Sequence, residues 1–142
     1  MSGLGGRAFT TPNVDGTILV NIGNAFDDPM NAQYPNSYPA KGQILIHELT
    51  HAWQIAHHSF LPGLMCEGVV NQAVKVLGGN PYKYGPAGPP WGGLSGFNLE
   101  AQGAIVDQWF AGNGSAGTTG RPMDKNSPYW GYISNNVLLG QI

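Results

Sequence analysis

A chain of 142 residues is one domain's worth, long enough to bury a core without disulfides, and its single cysteine, Cys66, excludes an internal one. Six Lys and Arg against eight Asp and Glu give a formal charge of −2 with no basic cluster, which excludes the electrostatic footprint of a nucleic-acid-binding protein. With 22 Gly and 11 Pro, long loops must separate few regular elements, while four Trp and six Tyr argue against disorder throughout.

Residues 1–39 are loop-rich, with four prolines and one short β-branched run at residues 17–22 that reads as a strand. No basic segment followed by an apolar run stands at residues 1–7, so no signal peptide is expected, and no stretch reaches the roughly 20 apolar residues of a membrane span. Asn36-Ser37-Tyr38-Pro39 offers a helix start, leading into a helix over residues 40–56. On its wheel Leu45, Leu49, Ala52, Trp53 and Ala56 line one side and Ile44, His47, His51 and Ile55 the other, which predicts burial of both faces. A second helix is expected over residues 63–77, stopped by Gly78-Gly79-Asn80-Pro81. Residues 84–96, rich in Gly and Pro, read as loop. A third helix follows over residues 98–110 with Asn98 as its cap. Residues 112–120 have the composition of a mobile surface loop without a packing role, and a last short helix is expected over residues 127–138.

His47-Glu48-Leu49-Thr50-His51 is an HExxH motif inside the best helix of the chain, and about 0.002 such matches are expected by chance in this composition. Imidazoles at i and i+4 stand one turn apart and converge on one metal ion, while Glu48 leans toward a water on the same ion. A catalytic zinc site needs a third protein ligand and one open position. Three residues are candidates. Glu100 shares a helix side with Ala104 and Asp107, with Gly103 nearby, so small residues allow it close to the first helix. His57 stands where the longer HExxHxxGxxH pattern has its third histidine, but Gln54 replaces the glycine that lets such a helix end. Glu67 lies on the polar face of the second expected helix. His58 would rise about 10.5 Å from His51, too far to share the ion. Asp107 is a candidate to receive the second ring N–H of a ligating histidine. Cys66, flanked by apolar residues, reads as a small core residue.

The run His-Glu-Leu-Thr-His-Ala-Trp-Gln at 47–54 resembles the zincin-like domains found beside Vgr, Rhs and contractile-injection-system proteins. Tyr82-Lys83-Tyr84 followed by Phe97-Asn98-Leu99-Glu100-Ala101-Gln102 resembles that group's second motif, a Tyr-containing loop before an Asn-x-Glu-x-Gln helix, and Ser127-Pro128-Tyr129-Trp130-Gly131-Tyr132-Ile133 its closing segment. The resemblance implies a gluzincin-like site, with His47, His51 and Glu100 on zinc and Glu48 as base; Asn98 joins Asp107 as a candidate behind the ligands. It departs from the group's pattern around Gln102, which Ala101 and Gly103 flank where a second Gln or Glu commonly follows the ligand.

Together these readings predict a single-domain α+β protein, mostly helical, a minimal zincin with a short N-terminal strand region and about four helices. The expected function is a zinc metallopeptidase acting on a peptide or protein, with an edge strand near residues 17–22 pairing with an extended substrate. Tyr129 and Tyr132 are the candidate phenol donors. The competing readings are a non-catalytic, zinc-stabilised adaptor or plug with a secretion-system partner, and an amidase acting on cell-wall peptides. The expected location is a soluble compartment, cytoplasmic or reached through a secretion apparatus.

Overall fold

The computed structural model describes residues 6–57, 82–85 and 97–141. The expected helix over 63–77, most of the expected loop over 84–96, and the candidates His58, Cys66 and Glu67 lie outside the described residues. Within them the chain is α+β with substantial helix. A two-stranded antiparallel sheet of β1 (Phe9–Pro12) and β2 (Ile18–Asn21) precedes three helices, α1 (Gln43–His57), α2 (Leu99–Ala111) and α3 (Trp130–Asn135), with single 3-10 turns at Gly23–Ala25 and Val137–Leu139. No helix among the described residues is long and apolar enough to cross a membrane.

The expected strand is β2. Its partner β1 was not anticipated, because Thr10 and Thr11 end at once in Pro12, too short a run to stand out. Register pairs Thr10 with Val20 and Thr11 with Leu19, and the hairpin is closed by Asn13 N–H donating to Thr17 O at 2.8 Å. Val20 and Ile22 pack with Ile44, Leu45 and Tyr38 in a small apolar cluster between the sheet and the start of α1.

Helix α1 begins later than the sequence suggests. Asn36 and Ser37 form instead the tip of a turn in which Tyr34 and Tyr38 exchange two backbone hydrogen bonds, each 2.8 Å. The Gln43 side chain then reaches back to accept from the Ala40 N–H at 3.2 Å, satisfying a donor that the helix itself leaves open. The burial of α1 also corrects the expectation of two buried faces. Leu49 is 45% exposed and Ala56 exposed, whereas Gln43, His47, Glu48, Thr50 and Gln54 are buried. A helix that buries its polar face needs a partner that answers each polar group, and that partner is α2.

Helix α2 agrees with expectation at both ends. Asn98 caps it, accepting from the Ala101 N–H at 2.8 Å, and Gly112 ends it at φ +70°, a conformation that leaves its N–H free to bond the carbonyls of Gln108 and Trp109. One face of α2, Ala101 and Ile105, meets Phe97, Tyr129, Tyr132 and Ile133 in the main core. Residues 112–120 are not without a packing role, because Ala116 enters that core while residues 114, 115 and 118–120 stay exposed. Ala116 is 0% exposed, its carbonyl accepts from the Ser127 hydroxyl, and its N–H donates to the Tyr84 oxygen at 3.0 Å. Glycines let this segment fold tightly, Gly117 against the backbone of Asn113 and Gly112 against that of Arg121, where composition alone suggests only flexibility. The last helix is shorter than the expected 127–138.

Ile105, fully buried, anchors α2 in the core. Ile105→Ala should cost about 2–5 kcal/mol in chemical denaturation, against less than about 0.5 kcal/mol for Leu138→Ala at a 66% exposed position. Equal effects at the two positions would contradict this assignment of the core.

Candidate metal centre

The helical repeat puts His47, His51 and Gln54 on one side of α1 and Glu100, Gly103 and Asp107 on one side of α2. Where these sides meet, Nε2 of His47 lies 3.1 Å from Nε2 of His51, and Oε2 of Glu100 lies 3.5 and 3.6 Å from them. A tetrahedral ion about 2.1 Å from each donor would hold them about 3.4 Å apart, so the three atoms already form the face of such a polyhedron. Among the described residues these three form the one group of His, Cys, Asp or Glu side chains that could hold a metal ion. His57, the alternative third ligand, is exposed at the end of α1 with its Nδ1 on Trp53 O at 2.8 Å.

Each histidine is held from behind. Asp107 Oδ2 meets Nδ1 of His47 at 2.7 Å, as its place on α2 suggests. A carboxylate only accepts, so His47 carries its proton on Nδ1 and turns Nε2 to the centre when neutral. The other oxygen of Asp107 accepts from Gln43 Nε2 at 2.7 Å, and Gln43 exchanges two further hydrogen bonds with the Asn113 amide. His51 Nδ1 meets Gln54 Oε1 at 2.8 Å. Asn98, expected behind the ligands, instead uses its side-chain oxygen to cap the helix that carries Glu100.

Glu48 is buried beside this cluster, and β1 reaches it directly. The Thr10 hydroxyl donates to Glu48 Oε2 at 2.8 Å and approaches its carbonyl at 3.1 Å. Burial pushes the Glu48 carboxyl above its ordinary range, against the hydrogen bond from Thr10 and the attraction of His51 and His47. At Glu100 burial acts in the same upward direction, but the two imidazoles of His47 and His51, 3.5 and 3.6 Å away, outweigh it and hold the carboxyl well below its ordinary range. For His47 burial disfavours the charged ring, yet the hydrogen bond with Asp107 and the charges of Asp107 and nearby Glu100 push it up to about 9.

Tyr129 and Tyr132 are not at this centre. They sit in the main core, where the Tyr129 hydroxyl donates to Gly85 O at 2.6 Å and the Tyr132 ring meets Phe97 edge-on at 5.5 Å. The phenols beside the histidines are Tyr38 and Tyr82, with rings 5.4 and 6.0 Å from that of His47. Burial and the charges of Asp107 and Glu100 raise both, so they remain protonated donors. Sequence reasoning missed them, along with Thr10, Gln43 and Gln54. Of these Gln54 carries a local signal, since three residues after His51 it shares that helix side, and Tyr82 stands in the Tyr-containing run that carries the resemblance. No protein-family model, curated protein or solved structure matches this chain.

The proton on His47 competes with a metal ion for Nε2. In the metal-free protein the ring is bound to its acids more tightly when charged. Its contribution to stability is therefore complete below about pH 6.5 and is lost as pH rises through about 9. Metal affinity should run the opposite way, rising roughly tenfold per pH unit across that window in zinc titrations, while the melting temperature of the metal-free protein falls. A pH-independent affinity would contradict the pairing of His47 with these acids.

Proposed function

We propose that this chain is a zinc-dependent hydrolase, a metallopeptidase that cleaves peptide bonds with Glu48 as general base. The observation that carries this reading is the triangle of His47, His51 and Glu100 donor atoms beside a buried carboxylate of an HExxH helix. Two imidazoles and one carboxylate are a donor set of catalytic zinc sites. When bound there, zinc supplies Lewis acidity toward a carbonyl and toward water.

The chain's own residues supply the proton chemistry. The Thr10 hydroxyl fixes Oε2 of Glu48, leaving Oε1 to take a proton from the attacking water and return it to the leaving amine. The raised carboxyl suits both halves of that cycle, because a stronger base at neutral pH is also a competent acid once protonated. Tyr38 and Tyr82 replace Tyr129 and Tyr132 as the candidate donors to the developing oxyanion. Strand β1, which touches Glu48 through Thr10, takes the place expected of residues 17–22 as the strand beside an extended substrate. The resemblance to injection-system zincins supports a peptide or protein substrate and a secretion-system partner.

Glu48→Gln keeps the side chain's shape and its contact with Thr10 but removes the base. Zinc content should stay at the wild-type level while hydrolysis of a fluorogenic peptide library falls by about 10²–10⁴-fold. A wild-type rate in this variant, on a substrate the parent cleaves, would overturn the role of Glu48.

A further inference from the structure

The carbonyl oxygens of Phe97 and Leu99, at the start of α2, can only accept hydrogen bonds. Gln102 therefore turns Nε2 toward Phe97 O, at 2.9 Å, and its Oε1 faces Gln54. Gln54 in turn places Nε2 between two acceptors, Leu99 O at 3.0 Å and Gln102 Oε1 at 2.9 Å, which uses both amide hydrogens. Only Oε1 of Gln54 is left for His51 Nδ1, 2.8 Å away, and an amide oxygen cannot donate. Both glutamines are 1% exposed, so reversing either amide would set oxygen against oxygen away from bulk solvent.

We infer that Gln54 is a positioning residue, the middle of a one-way hydrogen-bond chain that locks the neutral His51 ring as its Nδ1–H tautomer and so turns the Nε2 lone pair toward His47 and Glu100. The chain starts on the carbonyls that flank Asn98 at the start of α2, in the turn that carries Glu100. It therefore ties the ligand on α1 to the backbone beside the ligand on α2. Glutamine is required at 54 because glutamate cannot donate to the two acceptors and methionine can neither donate nor accept strongly. The value of the lock to metal binding rests on the metallopeptidase reading; the tautomer itself does not.

The test is long-range nitrogen-proton NMR of ¹⁵N-histidine-labelled, metal-free protein at a pH where the ring is neutral, with His51 assigned by its absence in His51→Ala. Wild type should show His51 as the Nδ1–H form. Gln54→Met should show a mixture of tautomers and bind zinc about 10–100-fold more weakly. Gln102→Met, which keeps the Leu99 anchor, should retain the Nδ1–H form, an outcome that a general loosening of the core would not give. An Nε2–H ring in wild type overturns the inference whether or not any variant folds, and so does Gln54→Met with wild-type tautomer and affinity. A wild type that binds no zinc would sink the metallopeptidase reading, while the tautomer would still judge this one.

Discussion

Where α2 crosses α1, Gly103 presents bare backbone to the imidazole of His47, and a Cβ built there would stand 2.9 Å from His47 Cε1. That close approach sets the distance between the two helices, and the centre depends on it. With α2 held at this separation, Glu100 reaches the two Nε2 atoms and Asp107 reaches Nδ1 of the same ring it neighbours. A larger residue at 103 would have to displace a buried ring whose nitrogens are both committed.

Burying the polar side of a helix is costly unless every group is answered, and this interface answers them in two closed chains. One runs from Asn113 through Gln43 and Asp107 to His47; the other runs from the start of α2 through the two glutamines to His51. What the chains do not balance is charge. Glu48, Glu100 and Asp107 converge at the interface, and among the described residues their ion pairs are with histidine alone. A divalent cation at the donor triangle would supply the missing positive charge, and its binding there would stabilise the helix pair. Thr10 adds the sheet to the same arrangement by holding Glu48 from outside the helix pair.

The parts of this centre legible in the sequence are those that follow from helical repeat. His47, Glu48 and His51 lie within one motif, and Glu100 and Asp107 are seven residues apart, two turns along one side of α2. Likewise Asn98 and Gly112 mark the ends of α2 because capping is local chemistry. What the sequence hides depends on where distant segments come to rest. Tyr129 and Tyr132 carry the right functional group, but both pack into the core with Ala101 and Ile105 of α2, while the turn at Tyr34 and Tyr38 delivers a different phenol to His47. Strand β1 is too short to signal itself and gains its role through pairing with β2 and through Thr10. Residues 112–120 have a loop's composition, yet the same small side chains let Ala116 into the core, and Asn113 joins the His47 chain.

Whether His47, His51 and Glu100 bind one metal ion together is decided by loading metal-depleted protein with zinc and measuring stoichiometry and X-ray absorption beside Glu100→Ala. One zinc per chain is expected, with nitrogen and oxygen neighbours at about 2.0–2.2 Å, including two imidazoles, and with weakened retention when Glu100 is removed. No bound zinc in a folded wild type, or equal retention by Glu100→Ala with an unchanged absorption spectrum, would contradict it.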